Sequence, residues 1–327
     1  CDCQYCCEDL RRRLIGVEYI EGLFAEHIDI GEAANVADTS STHATVADAG
    51  AGQRSDEPRL APIVMAAFDS GHQIPFCDQF LSSFRRSGNN ETVTAITYGL
   101  TQSVVAKIRT HRNVGTVNLP AARRGERVAI VRMVGFRDYL ATLPEQTPVA
   151  FWDAGDVIFQ DSIAPLWQLV ESHPGKVLAV RECQDVSNGM DTWTRSMPNE
   201  KSRKEVDELM AGKFPFNGGF AASTAGCMKS YFDKAIEISN TLLFGAAGVD
   251  QLAMNVIAHT SSLIHETGNE WNYVLIGQPK LGQARFSPDG RFHHGSAKIR
   301  VAHGALSTLH TITGYGKFQS DPFMQFS

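Results

Sequence analysis

The sequence contains no run of about 18 apolar residues, so it predicts no transmembrane helix. It also lacks a dominant basic tract. Its 30 lysine and arginine residues stand against 36 aspartate and glutamate residues, which gives a formal net charge of −6 at pH 7. Because nucleic-acid-binding domains concentrate positive charge on one face or tail, we expect no nucleic-acid partner.

Several short motifs of α/β enzymes are missing as well. We find no Walker phosphate loop, no dinucleotide-binding glycine fingerprint, no GxSxG nucleophile elbow and no HExxH zinc motif. No internal repeat is visible. These absences exclude the commonest ways in which an α/β sheet binds ATP or NAD.

The start of the chain carries no recognisable signal peptide and no methionine, since the first residue is Cys1. We therefore expect a segment to precede it, and membrane association only through an anchor in that segment. A single Asn-x-Thr sequon at Asn90 is consistent with a secretory lumen, but one match is expected by chance. The compartment, secretory pathway or cytoplasm, stays open.

Cysteine is scarce outside the first seven residues. Four of the seven cysteines crowd into "CDCQYCC", and Cys77, Cys183 and Cys227 are scattered. No Cys/His pair follows at zinc-finger spacing, so a closed zinc site is disfavoured. Lipidation and intermolecular disulfides remain alternatives for the cluster, and the scattered residues suit buried free thiols.

Composition divides the chain into three zones. Residues 1–31 hold the cysteine cluster and, from residue 8, apolar residues at helical spacing that predict an amphipathic helix. Residues 32–60 are small and polar, and they predict a disordered linker because they cannot bury enough apolar surface to offset chain entropy. Residues 61–327 form the third zone, which we predict to be a globular domain large enough to carry a catalytic site.

From residue 61 onward, apolar runs of strand length alternate with helical patterns. Strands are predicted at 61–68, 92–99, 147–153 and 176–180, and helices at 75–88, 101–111, 127–143 and 162–175. Nearly continuous apolar strands separated by helices indicate a parallel sheet covered on both faces, with its functional loops at the carboxyl ends of the strands. Asp69 and Asp153 end two of these strands, so we expect both at the same edge.

The stretch "VAFWDAGDVIFQD" places Asp153 and Asp156 between two apolar runs. Two adjacent carboxylates supply the hard oxygen ligands that Mg²⁺ or Mn²⁺ prefer, with positions left for phosphate oxygens. The alternative is an ordinary turn that Asp156 starts and Asp153 caps.

Other segments accompany this acidic motif in a fixed order. They are "PIVMAAFDSGHQIPFCDQFLSSFRRSG" from Pro62, "VRMVGFRDYLA" before the motif, "FPFNGGFAAS" and "VDQLAMN" after it, and the late "VAHGALS". Together, from about Pro62 to His303, they resemble the nucleotide-sugar-dependent glycosyltransferases of the GT-A fold, family 8 type. The D-x-x-D spacing is similar to that of the glycosyltransferase domain of procollagen lysyl hydroxylases. The Lys-Pro-Trp tail typical of family 8 is missing after His303, which leaves the subfamily and the acceptor open.

The resemblance implies an α/β chain with a GT-A (Rossmann-like), mostly parallel sheet flanked by helices. It implies metal-dependent transfer of a sugar from a UDP-sugar to a hydroxyl of a glycan, protein or small-molecule acceptor. The implied cofactor is Mn²⁺ (or Mg²⁺), and the implied metal ligands are Asp153, Asp156 and His303. The residues implied in donor binding are Asp69, His72, Asp153, Asn217, Gly218, Gly219 and Gly304. Those implied in catalysis are Asp250, Gln251 and Arg132.

The same residues bear on whether the transferred sugar keeps or inverts its configuration. Gln251 is a weak nucleophile, which favours retention through departure and attack on one face of the sugar. Inversion would instead need a carboxylate base near the acceptor, for which Glu182 and Asp185 are candidates. Arg137 is an alternative to Arg132, and Asp250 has a plain structural alternative as a helix N-cap.

Three aromatic residues in polar stretches, Trp193, Trp271 and Tyr273, are candidates to stack on acceptor sugar rings or simply to pack loops. Two other functions stay open. One is a metal-dependent nucleotidyltransferase, which usually needs a glycine- and arginine-rich loop after the first strand. The other is a catalytically silent module that binds sugars or partners.

Overall fold

The computed structural model describes residues 60–73, 75–123, 128–155, 157–182, 193–275, 285–286 and 291–304. The predicted cysteine cluster and amphipathic helix of residues 1–31, and the predicted linker up to residue 59, lie outside this part of the chain. The domain division therefore stays a prediction, and the fold below concerns the predicted domain from residue 61 onward.

A seven-stranded sheet is the centre of the described residues. Its strands are β1 (Ile63–Asp69), β2 (Thr92–Tyr98), β3 (Val114–Leu119), β4 (Pro148–Trp152), β6 (Val177–Ala179), β7 (Phe220–Thr224) and β8 (Ile264–Glu266). The spatial order is β3-β2-β1-β4-β7-β6-β8. Every neighbouring pair is parallel except the two that β7 makes, because β7 runs antiparallel between β4 and β6.

Helices cover the sheet and connect its strands. They are α1 (Ser82–Arg86), which continues a π-type turn at Pro75–Leu81, then α2 (Gln102–Arg109), α3 (Val128–Leu140), α4 (Ala164–Ser172), α5 (Glu200–Met210), α6 (Ala225–Asn240) and α7 (Val249–Thr260). The predicted mixed α/β architecture with a mostly parallel sheet is confirmed. The strands and helices predicted before residue 180 are all present, with bounds shifted by a few residues.

Three strands of this sheet, β3, β7 and the three-residue β8, were missed by the sequence interpretation. β3 lies at the sheet edge, half-buried along its whole length, and "VGTVNL" has neither a clean alternation nor a continuous apolar run. β7 follows "FPFNGG", which was interpreted as a loop, and its small residues "FAAST" give little strand signal. The antiparallel direction of β7 follows from tertiary pairing and cannot be read from local pattern.

Successive residues of a strand face opposite sides, so β4 contributes to two cores. Phe151 packs in the layer with Phe136 of α3 and Phe232 of α6, with ring centroids 5.1 and 5.6 Å away. Trp152 lies in the opposite layer, where its ring meets Phe159 edge-on at 5.2 Å. The strand that ends at the predicted acidic motif is therefore fixed by aromatic packing on both faces.

A second, three-stranded sheet carries the late histidine. It consists of β5 (Ile158–Phe159), β12 (Val301–His303) and β9 (Tyr273–Val274), in the order β5-β12-β9. Val301 pairs with Phe159. A separate two-stranded pair, β10 (Arg285–Phe286) with β11 (Phe292–His293), precedes β12 in the chain. Because β5 directly follows the acidic turn, this pairing brings the end of β12 back to the edge where β4 ends.

The described cysteines, Cys77 and Cys227, are free and partly buried, as expected for scattered thiols. Cys183 lies outside the described residues. Within the described part of the chain, no helix is both long and apolar enough to cross a membrane.

We expect His259 of α7 to make stability depend on pH. Burial, helped by the positive charges of Lys213 and Arg181, lowers the pKa of His259 from 6.5 to about 4. Between these values the unfolded chain binds a proton that the folded chain does not. The free energy of unfolding should therefore fall as the pH drops from about 6.5 towards about 4. Urea unfolding of wild type and His259→Phe at about pH 7 and about pH 5 measures this, and identical pH dependence in both would contradict it.

Candidate active site

Asp153 lies one residue beyond β4, at the carboxyl edge of the sheet. Its backbone N–H donates to the carbonyl of Gly219 at 3.0 Å, which continues the β4–β7 ladder by one bond. Asp69 ends β1, the parallel neighbour of β4, so the two aspartates lie at the same edge as predicted. The sheet thus fixes the position of the Asp153 backbone before any side chain contributes.

The Asp153 carboxylate is held by Arg132 of α3. Arg132 Nη1 donates to Asp153 Oδ1 at 2.5 Å, and Arg132 Nη2 donates to Asp250 Oδ2. The side chains of Arg132, Asp153 and Asp250 are 21%, 29% and 20% exposed, so the guanidinium is a partly buried bridge between two carboxylates. Charges that have lost part of their hydration are stabilised by such pairing.

These pairings act on the protonation states. Burial alone would raise the pKa of Asp153, but the positive Arg132 and the hydrogen bond to His303 hold this pKa far below its usual range. Burial likewise works against a charged Arg132, while Asp153 and Asp250 raise its pKa above the ordinary value. Asp153 is therefore an anion throughout the physiological range.

His303, the last residue of β12, approaches Asp153 from the second sheet. His303 Nε2 lies 3.5 Å from Asp153 Oδ2. A β-carbon placed on Gly219 would come within 2.2 Å of His303 Cε1 and 2.6 Å of Asp153 Oδ2. The two side chains therefore converge over a backbone position where glycine is required by space rather than by backbone conformation.

The predicted nucleotide residues lie beside the acidic turn. Asp69 Oδ1 bonds to His72 Nδ1 at 3.1 Å, and this bond chiefly lowers the pKa of Asp69. Both side chains are more than half exposed. A β-carbon on Gly155 would come within 2.7 Å of His72 Cδ2, so the His72 ring lies against the turn that follows Asp153. Asp156, the next residue in that turn, lies outside the described residues.

A second cluster, of amides around one carboxylate, lies next to Gly219. Glu182 Oε1 accepts from Asn217 Nδ2 at 2.6 Å and from Gln251 Nε2 at 3.0 Å. Asn217 Oδ1 in turn accepts from the N–H of Gly219 and from Asn272 Nδ2, each at 2.9 Å. The "FNGG" segment, the Asp-Gln segment and the end of β6 are thereby connected by side-chain hydrogen bonds.

The start of α7 places Asp250 and Gln251. The helix begins at Val249 after Gly248, which adopts the left-handed conformation with φ 55°. The N-cap alternative for Asp250 is therefore wrong, because Gly248 occupies the cap. Asp250 lies inside the first turn, where a carboxylate is favoured by the helix dipole, and its Oδ1 accepts from the N–H of Gln251 at 2.9 Å. A β-carbon on Gly218 would come within 2.9 Å of the Gln251 Cα, so these two backbones touch.

Of two further candidates, Gly304 lies beside His303 and Arg137 lies outside this cluster. Gly304 follows His303 with φ 69°, a conformation that favours glycine. Arg137, the alternative to Arg132, pairs instead with Asp138 and approaches Asp233, so it contributes nothing to this cluster.

Two of the three aromatic residues considered for stacking on an acceptor sugar are buried. Trp271 and Tyr273 are 2% and 5% exposed and pack inside the protein, so the proposal that they stack on an acceptor is wrong. The partly buried Trp193 lies with its ring against Gly248, at the start of α7.

Sequence interpretation missed two members of the site. Asn272 is fully buried and bonds to Asn217, but a lone asparagine before a short strand gives no signal by itself. Gly155 was missed as well: a side chain at this position would clash with the His72 ring, so the position requires glycine. Its place inside the D-x-x-D turn was the sequence signal that could have identified it. Glu182 was considered only as an inverting base, whereas the structure makes it the acceptor for two amides.

The described donors are compatible with a divalent cation. Asp153 and His303 offer a carboxylate oxygen and an imidazole nitrogen 3.5 Å apart, close to the roughly 3 Å between adjacent ligands of an octahedral ion. Within the described residues no group of three His, Cys, Asp or Glu side chains is placed to hold a metal. Asp156, the predicted third ligand, is not among them, so the triad itself stays a prediction.

Comparison with protein-family models found no match, and comparison with curated proteins found none either. Solved structures do match. The galactosyltransferase LgtC, in complex with donor and acceptor sugar analogues, has a TM-score of 0.50 at 14% identity, covering 79% of this chain and 94% of that one. At this identity the likeness shows the fold alone, and it confirms the GT-A-type architecture.

Two further structures score lower. The bifunctional glycosyltransferase WbbM has a TM-score of 0.48 at 15% identity, covering 77% of this chain and 47% of that one. The glycosyltransferase GlyE of Streptococcus pneumoniae has a TM-score of 0.45 at 15% identity, covering 66% and 47%. The chain thus spans about half the length of these two structures.

The crowding at Gly219 predicts a specific loss of stability. Gly219→Ala would push the new methyl group into His303 and Asp153, so the free energy of unfolding should fall by about 1–3 kcal/mol. Gly115→Ala is a matched control, because its nearest neighbour is Thr94 Oγ1 at 3.9 Å, and it should change stability by less than about 0.5 kcal/mol. Urea unfolding measures both, and equal stability of the two variants would contradict the proposed convergence.

Proposed function

We propose that this chain is a metal-dependent glycosyltransferase that moves a sugar from a UDP-sugar to an acceptor hydroxyl with retention of configuration. The observation that carries the proposal is the meeting of Asp153, Arg132, Asp250 and His303 at the carboxyl edge of a GT-A-type sheet. In open α/β sheets that edge is where ligands bind. The family 8 assignment, the Mn²⁺ cofactor and the uridine base are parts of this proposal.

Charge supports a cation at this edge. Arg132 contributes one positive charge against the two negative charges of Asp153 and Asp250, so this trio keeps a net charge of −1. The three groups are partly buried, which strengthens their field relative to water. An incoming diphosphate would be repelled unless a further cation accompanied it.

Asp153, His303 and the predicted ligand Asp156 would hold that cation. A bound Mn²⁺ or Mg²⁺ would act as a Lewis acid that neutralises the charge developing on the leaving diphosphate. The protein's own part is to keep Asp153 ionised through Arg132 and to present His303 Nε2 towards Asp153, with Gly219 leaving room beneath both.

The donor nucleoside would lie against Asp69 and His72, at the end of β1. Their exposed side chains flank the acidic turn through the contact of His72 with Gly155. Asn217, Gly218 and Gly219 would let the backbone approach the donor sugar, since two of these residues carry no β-carbon.

The bonds that Asp250 already makes bear on the route that a retaining transfer would take. Asp250 Oδ2 accepts from Arg132 and Asp250 Oδ1 accepts from the N–H of Gln251, so this carboxylate is engaged on both oxygens. Gln251 is a neutral amide and a weak nucleophile. Neither residue is suited to form a covalent sugar intermediate, which leaves departure and attack on the same face of the sugar as the retaining route.

The proposal predicts release of UDP from one member of a panel of UDP-sugars in the presence of Mn²⁺. Activity should vanish in EDTA, and Asp153→Asn should lower kcat/KM by about 10²–10³-fold because a charge aimed at the transition state is lost. Asp156→Asn should behave similarly. Asp233→Asn is the control, since Asp233 is an exposed partner of Lys229 on α6, and it should leave the rate unchanged.

Product and binding measurements separate the alternatives. Release of pyrophosphate from UTP, without UDP release from any sugar donor, would support a nucleotidyltransferase instead. If calorimetry detected no nucleotide-sugar binding with Mn²⁺ present, the transferase proposal would fail and the silent-module alternative would lead.

A further inference from the structure

Glu182 is a carboxylate in a place where a carboxylate is costly. It follows β6, it is 6% exposed, and its backbone N–H donates to the carbonyl of Pro215 at 2.7 Å. Burying a negative charge without compensating hydrogen bonds costs several kcal/mol, on the order of the effective penalty per ion in proteins. Two amide N–H groups, from Asn217 and Gln251, converge on its Oε1.

A carboxylate acceptor fixes the polarity of each amide. The oxygen and nitrogen ends of an asparagine or glutamine side chain are nearly the same in shape, so packing alone does not distinguish them. An ionised carboxylate only accepts hydrogen bonds, and therefore it selects the NH₂ end of both Asn217 and Gln251. Their carbonyl oxygens must then lie on the far side of each amide from Glu182.

Asn217 provides an independent check on this polarity. Its Oδ1 accepts from the N–H of Gly219 and from Asn272 Nδ2, each at 2.9 Å. A flipped Asn217 would set an NH₂ group against the backbone N–H of Gly219, which can only donate. The carboxylate of Glu182 is thus connected through Asn217 to Gly219, the residue beneath Asp153 and His303.

We propose that Glu182 is a positioning residue that holds the Gln251 amide with its carbonyl oxygen, rather than its NH₂ group, presented to the reacting sugar. The inference rests on the proposed glycosyl transfer. Glycosyl transition states carry positive charge near the anomeric carbon. A carbonyl oxygen stabilises that charge, whereas an NH₂ group would oppose it.

The hydrogen bond from Gln251 to Glu182 also polarises the Gln251 amide. The donor is polarised by a full negative charge, which increases the electron density on the Gln251 carbonyl oxygen. Glu182 touches neither donor sugar nor metal ligand in this account, and it acts through Gln251. This role differs from that of a general base, which would have to reach the acceptor hydroxyl itself.

Kinetics of single and double variants of the 327-residue chain test this role. Glu182→Gln keeps an acceptor oxygen but loses the charge, and it should lower kcat by about 10-fold. Glu182→Leu removes both and should lower kcat by about 100-fold, with KM for the UDP-sugar changed by less than about 3-fold. In a Gln251→Ala background, Glu182→Leu should cost much less than it does alone, because one of the two amides that it fixes is already gone. Glu200→Gln, an exposed carboxylate on α5 paired with Lys204, is the control.

The kinetic outcomes decide between mechanisms. Equal losses in Glu182→Gln and Glu182→Leu that persist in the Gln251→Ala background would show a general base and overturn the positioning role. An unchanged kcat in Glu182→Leu would overturn it as well. Thermal unfolding of each variant shows whether a loss of rate is only a loss of fold, and Glu182→Gln, which preserves size and one acceptor, serves if Glu182→Leu does not fold.

A readout that needs no turnover separates this inference from the proposed function. The side-chain NH₂ signals of Gln251 and Asn217, assigned by NMR from the Gln251→Ala and Asn217→Ala variants, should be protected from exchange in wild type. Both should lose protection in Glu182→Leu and keep most of it in Glu182→Gln. If wild type turned over no donor, the transferase proposal would fail while these signals still decided whether Glu182 fixes the amides; unchanged protection in Glu182→Leu would overturn that part.

Discussion

The two bonds that Arg132 makes are the interaction on which the site depends. Arg132 stands 21 residues before Asp153 and 118 residues before Asp250, and its guanidinium reaches both carboxylates. One planar cation thereby joins helix α3, the end of β4 and the first turn of α7. If the guanidinium were absent, two partly buried carboxylates would lose the cation that they share, which would destabilise the folded state. The relative placement of these three elements is therefore an electrostatic requirement as well as a matter of packing.

The packing beneath this ion cluster is organised by strand alternation. β4 sends Phe151 to one layer and Trp152 to the other, and Trp152 also donates its Nε1 hydrogen to the carbonyl of Trp271 at 2.9 Å. Trp271 precedes Asn272, which bonds to Asn217 in the site. Two adjacent residues, Trp271 and Asn272, thus connect the aromatic core to the polar edge of the sheet. This explains why residues far apart in the sequence meet with distances suited to hydrogen bonds.

Much of this arrangement could be predicted from sequence. The apolar runs located β1, β2, β4 and β6, and the rule that parallel strands carry function at their carboxyl ends placed Asp69 and Asp153 correctly at one edge. The resemblance pointed to Arg132, Asn217, Asp250 and His303. The structure brings these residues together around Asp153 and Gly219, while their roles stay proposals.

What could not be predicted depends on tertiary pairing. β7 carries a weak strand signal, and its direction is fixed by neighbours that are distant in sequence. Trp271 and Tyr273 lie in polar stretches, and only the three-dimensional neighbours show that they are buried. The role of Glu182 as acceptor for two amides likewise depends on partners 35 and 69 residues away. Local composition carries no information on any of these.

The antiparallel course of β7 has a consequence for how this chain can vary in length. Because β7 runs against its neighbours, the segment that enters it, and not one that leaves it, lies at the functional edge. That segment is tied at Pro215 to Glu182, at Asn217 to the carbonyl of Val180 and at Gly219 to Asp153. An inserted or deleted residue here would have to slide β7 against β4, and a slip of one position turns every side chain of a strand to the opposite layer. Homologous chains should therefore accommodate insertions elsewhere on the surface and keep this lead-in at constant length.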